Sequence, residues 1–153
     1  MTEGVLLVHA TTVAFSGRAV MLRGPSGSGK SELALRLMEQ SGTGLGRLNL
    51  RAQLIADDQT EVFMRRGKLW VRCPKTIAGQ MEMRGLGIFN VKPGKACPLA
   101  LIVDLQPAAK IERMPEAADL LTTLLDQQVP RIMLDASQPS AASILRLAFV
   151  QLC

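Results

Sequence analysis

The sequence contains no tyrosine, one tryptophan and one histidine, and aromatic residues make up only 3% of it. Basic blocks interleaved with aromatic side chains, the usual sign of a surface that stacks on bases, are absent, so no nucleic-acid partner is expected. No apolar run reaches the roughly 18 residues of a membrane span, and the first residues do not resemble an export signal. We therefore expect a cytoplasmic protein without a membrane partner.

Three cysteines, Cys73, Cys97 and Cys153, are widely spaced and form no C-x-x-C pair. Isolated cysteines of odd number, without companion histidines, argue against a disulfide framework or a metal site, so we expect reduced thiols. The length of 153 residues suits one domain, 1–153, and is short for two. The net charge of +5 favours anionic partners such as nucleotides and phosphate.

The hydrophobic pattern predicts short strands that alternate with helices, which is typical of an α/β domain. Strands are expected over 5–8, 12–15, 19–22, 53–56, 61–65, 68–72, 99–103 and 131–134. Helices are expected over 32–38, over 140–152, and from Pro115 onward with an apolar face of Ala117, Ala118, Leu121, Leu124 and Leu125. Arg66-Gly67 separates two alternating runs and predicts a hairpin.

The segment GPSGSGKS fits the phosphate-binding pattern G-x-x-x-x-G-K-[ST] and stands between a predicted strand and a predicted helix. Its glycines let the backbone curl around a phosphate and present N–H donors. Lys30 can reach the β- and γ-phosphates, the Ser31 hydroxyl can bind Mg²⁺, and the helix directs its positive end at the same anion. We therefore expect a nucleoside triphosphate to bind here. The residues of this phosphate loop are Gly24, Pro25, Ser26, Gly27, Ser28, Gly29, Lys30 and Ser31.

Two predicted strands end in acidic residues, which phosphoryl transfer needs to hold a metal ion or to accept a proton. Asp57 and Asp58 follow the strand at 53–56, and Asp104 follows the more apolar strand at 99–103. By pattern alone, Asp104 has the position of an ordinary metal-holding aspartate. Two adjacent carboxylates repel each other unless a cation or a partner accepts them. An alternative explanation fits the pair equally well: one acid lies in a solvated turn and the other caps a helix.

Further context comes from EMRGLGIFNV, which begins at Glu82. In order, GPSGSGKSE, LIADD and EMRGLGIFNV resemble the loop, strand end and signature of the HPr serine kinase/phosphorylases of bacterial phosphotransferase systems. The loop alone is common, but the combination is specific, and the resemblance covers about residues 5 to 150. It implies the family's catalytic domain, a P-loop kinase domain with a phosphoenolpyruvate-carboxykinase-like fold and a mixed sheet with flanking helices. The family's separate N-terminal domain has no counterpart in the sequence.

The resemblance also implies which residues carry the chemistry. His9 lies at the family's spacing before Lys30 and resembles its active-site histidine, while Lys30 resembles the nucleotide lysine. Asp58 resembles the acid that accepts the proton of the substrate serine, and Asp57 would support it or the metal. Without the resemblance, a lone histidine beside a strand is more often structural.

Metal and phosphate contacts are implied in the same way. Ser31 and Glu82 are similar to the family's Mg²⁺ ligands, and Arg84 opens a glycine-rich signature loop that would close over the phosphates. Arg113 resembles an active-site arginine that could neutralise charge on the transferring phosphoryl group, although a plain surface arginine fits nearly as well. Asp104 has no fixed acidic counterpart in the family, so we expect it to be structural.

These features predict an ATP-dependent protein-serine kinase that uses ATP and Mg²⁺ and acts on an HPr-like phosphocarrier protein. Family members are commonly hexameric, which implies a homo-oligomer. The stretch at 135–140 lacks both arginines of the family's P-V-R-P-G-R segment, so the reverse phosphorolysis is uncertain. Two alternatives stay open: a small-molecule P-loop kinase, although no arginine cluster suggests a lid, and a nucleotide-sensing regulatory module with little turnover.

Overall fold

The computed structural model describes residues 4–153, so residues 1–3 of the predicted domain lie outside the described part. The strands are β1 (Leu6–Val8), β2 (Ala10–Phe15), β3 (Arg18–Arg23), β4 (Gln53–Ala56), β5 (Thr60–Arg65), β6 (Lys68–Arg72), β7 (Gln80–Met83), β8 (Gly87–Asn90), β9 (Cys97–Leu105), β10 (Leu121–Leu124) and β11 (Gln127–Leu134). The α-helices are α1 (Lys30–Glu39) and α2 (Ala141–Leu152), and short 3-10 turns cover Lys75–Ile77, Ala108–Lys110 and Ala117–Leu120. Within residues 4–153, no helix has the length and apolar character needed to cross a bilayer.

Nine of these strands form one mixed sheet, and the hairpin of β7 and β8 pairs separately. The order along the main path is β1-β5-β6-β9-β3-β2-β4. Strand β9 pairs in parallel with β3 and with β11, while β6 pairs antiparallel with the first residues of β9. Strand β10 adds to β11 as an antiparallel hairpin. The predicted α/β class with a mixed sheet is therefore confirmed.

The strand directions bring three chain segments to one end of the sheet. Strand β2 runs antiparallel to both of its neighbours, β3 and β4, so β3 and β4 point the same way. The segments that follow β3 and β4, which are the phosphate loop and the Asp57-Asp58 pair, therefore leave the sheet at the same end. The start of β2 lies there too, because Ala10 is paired with Arg23.

Strand β3, which leads into the phosphate loop, is covered on both faces. Val20 and Leu22 pack in the cluster that contains side chains of α1 and α2, whereas Ala19 and Met21 pack in the cluster that contains β5 and β6. All four are fully buried, and each of the larger three contributes roughly 1.5–3 kcal/mol by burial. The loop therefore starts from a strand that is fixed from both sides.

The prediction of a helix from Pro115 onward is wrong. Only Ala117–Leu120 form a single 3-10 turn, and the following residues form β10, which pairs with β11 in the register Leu121↔Pro130 to Leu124↔Gln127. The two positions between the strands, Leu125 and Asp126, both have positive φ, as in a tight hairpin turn. Two central threonines favour a strand, and pairing with β11 outweighs the helical spacing of the apolar residues.

Candidate active site

The phosphate loop follows β3 and adopts a conformation that its glycines allow. Gly27 and Gly29 have φ of 83° and 94°, a region that side chains with a β-carbon rarely adopt. Gly24 has ordinary φ, but a β-carbon there would lie 2.6 Å from the hydroxyl of Ser28, which packs over it. Positive φ therefore requires glycine at positions 27 and 29, and close packing requires it at position 24.

Helix α1 begins directly after Gly29 and has no side chain that caps its N-terminus. The first N–H groups of a helix have no partner within the helix, and the helix dipole makes this end positive. An uncapped end beside a glycine-rich loop is an anion site, and the expected ligand is a phosphate group.

Lys30, the first residue of α1, lies with its side chain folded against the same loop. Its ammonium group donates hydrogen bonds to the carbonyl oxygens of Gly24 at 2.7 Å and Pro25 at 3.1 Å. Burial lowers the pKa of Lys30 from its ordinary 10.5, while the nearby carboxylates of Asp58 and Asp57 oppose that shift. The lysine is therefore a partly desolvated cation, whose charge acts strongly on a phosphate brought close to it.

Asp57 is buried and connects three parts of the site. Its Oδ1 accepts hydrogen bonds from the hydroxyl of Ser31 at 2.6 Å and from that of Thr11 at 2.9 Å. Its Oδ2 accepts a hydrogen bond from the backbone N–H of Glu82 at 3.1 Å. One carboxylate thus joins the start of α1, strand β2 and strand β7.

Asp58 is exposed and stands in the left-handed region with φ of 67°, which is uncommon for a residue other than glycine. Its carboxylate Oδ1 lies 3.3 Å from Nε2 of His9. Its backbone carbonyl accepts a hydrogen bond from the N–H of Ala10 at 3.0 Å, and its own N–H donates to the hydroxyl of Thr11 at 3.1 Å. The start of β2 therefore holds this acid in its turn.

The signature segment forms the hairpin of β7 and β8, where the sequence predicted only a glycine-rich loop. Gly85 and Gly87 have φ of 89° and 90° in its turn, and Leu86 N–H donates to the carbonyl of Met83. Arg84 is exposed in this turn. The hairpin thus presents the backbone of its first strand to Asp57 and its turn to the loop.

A cleft of about 300 Å³ lies between the phosphate loop and this hairpin. Its lining consists of Glu32, Met83 and eight of the predicted site residues, which are Ser26, Gly27, Gly29, Lys30, Ser31, Asp58, Glu82 and Arg84. A second cavity of about 210 Å³ is also lined by Asp58 and Glu82, together with Ile77, Gln80 and Ile88. Asp58 and Glu82 therefore stand where the two cavities meet.

Arg113 and Asp104 are not among the residues that line the cleft. Arg113 is exposed in the segment after the second 3-10 turn, and it forms no hydrogen bond or ion pair with any residue of the described range. Asp104 accepts two hydrogen bonds from Arg23, at 2.7 and 2.9 Å, and one from Arg131 at 3.1 Å. Its carboxylate is thus occupied by two cations that tie β3, β9 and β11 together.

Sequence reasoning missed Thr11, which contacts both acids. It lies fully buried in β2, and the residues around it on that strand are mostly apolar. The strand that follows His9 is buried, and Thr11 places a hydroxyl in it. A buried polar group almost always has a hydrogen-bond partner, so this hydroxyl could have indicated a contact with the site.

Fold and site together define the chain as a P-loop domain. The family model described as HPr Serine kinase C-terminal domain matches residues 4–148, and the chain therefore belongs to this family. The HPr kinase/phosphorylase of Bordetella petrii is 32% identical over 156 residues, which cover 94% of this chain and 47% of that protein. That of Limosilactobacillus reuteri is 33% identical over 126 residues, which cover 75% of this chain and 36% of the relative. The chain thus spans less than half the length of these curated relatives.

A solved structure, described as the Hpr(Ser) kinase/phosphatase from Coxiella burnetii, has the same fold. It superposes with a TM-score of 0.76 and covers 95% of this chain and 88% of its own, at 20% sequence identity. At that identity the likeness concerns the fold alone. It confirms the P-loop kinase fold that the motifs implied.

Proposed function

We propose that the chain transfers the γ-phosphoryl group of ATP to a seryl hydroxyl of an HPr-like phosphocarrier protein. The observation that carries this proposal is the cleft in which a phosphate loop faces Asp58, an exposed carboxylate with His9 beside it. Family membership supports the same reaction, since the matched relatives are named HPr kinase/phosphorylase.

The nucleotide's phosphates would bind to the loop amides, the uncapped N-terminus of α1 and Lys30. The ammonium of Lys30 would exchange its bonds to the carbonyls of Gly24 and Pro25 for bonds to phosphate oxygens. Arg84 in the hairpin turn would add a second positive charge at the cleft. Fixed positive groups of this kind stabilise the charge that spreads over the phosphoryl oxygens during transfer.

The oxygen donors around Ser31 fit Mg²⁺. The Ser31 hydroxyl and the Glu82 carboxylate line the same cleft, and the carboxylate of Asp57 lies directly behind Ser31. Mg²⁺ prefers oxygen ligands, keeps several waters and takes few protein ligands beside substrate phosphates, so two side chains suffice. Bound there, the ion would neutralise charge between the β- and γ-phosphates.

Asp58 would accept the proton of the attacking seryl hydroxyl. The seryl oxygen would form a bond to the γ-phosphorus while the bond between the γ-phosphorus and the β-phosphate oxygen breaks. His9, 3.3 Å away, would orient the carboxylate. The second cavity, which is lined by Asp58, Ile77 and Ile88, would admit the seryl segment. General-base catalysis contributes typically 10²–10⁴-fold, and positioning supplies much of the remainder.

The direct test measures transfer of label from γ-labelled ATP to an HPr protein. Asp58→Asn should lower transfer at least about 100-fold. Asp126→Asn is the matched control, because Asp126 is also an exposed aspartate with positive φ but lies in the β10–β11 turn. An HPr whose serine is replaced by alanine should accept no label. Undiminished transfer by Asp58→Asn would refute the role of Asp58.

The same assay separates the remaining alternatives. ATP binding without transfer or turnover would indicate a nucleotide-sensing module, and label on a metabolite instead of HPr would indicate a small-molecule kinase. Release of label from phosphorylated HPr by added inorganic phosphate would reveal the reverse phosphorolysis. The homo-oligomer and the role of Arg113 stay predictions, and the proposal uses neither.

A further inference from the structure

We propose that Thr11 is a positioning residue that sets the orientation of both acids at the active site. The inference rests on the proposed function, because it assumes that Asp58 accepts the substrate proton. Thr11 has no accessible surface, so it acts only through its neighbours.

A single hydroxyl makes both contacts. Oγ1 of Thr11 donates its proton to Oδ1 of Asp57 at 2.9 Å and accepts the N–H of Asp58 at 3.1 Å. A hydroxyl can do both at once, whereas an amine or a carboxylate of the same reach cannot. The side chain therefore fixes the relation between two consecutive residues of the acid turn.

The contact to Asp57 bears on the metal ligands. Asp57 holds the hydroxyl of Ser31 with the same oxygen that Thr11 contacts, and it holds the backbone of Glu82 with the other. Without Thr11 the carboxylate would be held only by these two bonds, and both implied Mg²⁺ ligands would be positioned less firmly. Thr11 thus reaches the metal site through one intermediate carboxylate.

The contact to Asp58 bears on proton transfer. Asp58 has φ of 67°, and such a conformation costs on the order of 1 kcal/mol or more unless its surroundings enforce it. Thr11 holds the N–H of this residue, while Ala10 holds its carbonyl. Removal of the hydroxyl takes away the partner of the Asp58 N–H, so that Asp58 is held only through its carbonyl, and the exposed carboxylate should no longer keep its place beside His9.

The test compares Thr11→Val with Thr12→Val. The two threonines are neighbours on β2, both are fully buried, and Oγ1 of Thr12 bonds instead to Oγ1 of Thr60 at 2.8 Å, away from the acids. Both variants should lose similar stability. With an HPr protein as acceptor, Thr11→Val should lower kcat about 10–100-fold, since small misplacements at a site cost this much. Thr12→Val should keep kcat within about 2-fold of the wild type by the same reasoning.

Two readouts separate positioning from a loss of folded protein. The number of sites that bind an ATP analogue, measured by calorimetry, normalises kcat to correctly folded molecules. The affinity for the analogue, measured without Mg²⁺, should change little, because Thr11 contacts neither Lys30 nor the glycines of the loop. Thr11→Ser, which keeps the hydroxyl, should restore kcat.

Each other outcome overturns the inference. Full kcat per binding site in Thr11→Val would show that the hydroxyl does not position the acids. Equal losses in Thr11→Val and Thr12→Val would assign the effect to packing of β2, and failure of Thr11→Val alone to fold would make the hydroxyl a requirement of the fold. If the wild type itself transfers no phosphate to HPr, the proposed function fails instead.

Discussion

Asp104→Asn should destabilise the protein without abolishing phosphoryl transfer. The carboxylate accepts three hydrogen bonds from Arg23 and Arg131, and its side chain is only 18% exposed. An asparagine removes the negative charge, offers one acceptor in place of two, and turns an NH₂ group toward a guanidinium donor. Two partly buried arginines between β3, β9 and β11 would then face each other without an anion.

The size of this loss follows from the burial of the pair. Removal of one partner from a buried ion pair costs about 3–5 kcal/mol. Arg23 is 26% exposed and Arg131 18%, so water screens part of the effect, and we expect a loss of about 2–3 kcal/mol. For a chain of this length each kcal/mol shifts Tm by about 2–4 °C, so Tm should fall by roughly 4–12 °C.

Thermal unfolding and transfer to HPr, measured on the same preparation, provide the assay. Glu61→Gln is the matched control, because the pair of Glu61 with Arg72 has the same 2.7 Å distance but is more exposed, at 27% and 45%. Its loss should stay below about 1 kcal/mol. Unchanged Tm together with lost transfer in Asp104→Asn would refute the structural role and make Asp104 a catalytic candidate.

Three further predictions concern the loop and the core. Burial lowers the pKa of Lys30 below 10.5, so ATP affinity should begin to fall at a lower pH than it would with an ordinary lysine. In Lys30→Arg the ATP affinity should stay flat over the same pH range. An ATP affinity of the wild type that does not change with pH would contradict this prediction. Gly29→Ala should abolish ATP binding in calorimetry. Gly29 has φ of 94°, and a β-carbon there would lie 3.0 Å from that of Ala136. Normal ATP affinity of this variant would refute the steric argument. Arg146→Met removes bonds to the carbonyls of Leu50, of Leu37 in the last turn of α1, and of Gln40, the C-cap of α1. It should cost about 2–4 kcal/mol in denaturant unfolding; an unchanged midpoint would be the opposite result.

Local patterns predicted most of the fold. Arg66-Gly67 has positive φ at both positions, as the two-residue turn of the β5–β6 hairpin requires, and the phosphate loop stands between β3 and α1 as its motif demands. The segment after Pro115 was misread because its apolar residues fit a helical spacing equally well. Pairing with β11 across the two-residue turn at Leu125 and Asp126 decided its structure, and this turn lacks the glycine that usually signals such a hairpin.

The candidate site was predictable in its parts and not in its connections. Lys30, Ser31, Asp58 and Glu82 were named from motifs, and they line one cleft. The bonds of Asp57 depend on the register of β2 against β4 and on the position of a separate hairpin, which no local pattern specifies. The contacts among these residues therefore arise only when the sheet brings distant segments together, and the sequence alone does not predict them.

The arrangement of the active site can be tested with a crystal structure that contains a non-hydrolysable ATP analogue and Mg²⁺ but no acceptor protein. We predict that the γ-phosphate lies in the cleft between the phosphate loop and the β7–β8 turn, with Mg²⁺ bound to Ser31 and Glu82. The Asp58 carboxylate should lie close enough to the phosphorus for a single seryl oxygen to fit between them. A terminal phosphate directed away from Asp58, too far for any hydroxyl to bridge the two, would refute the role of Asp58 as the base.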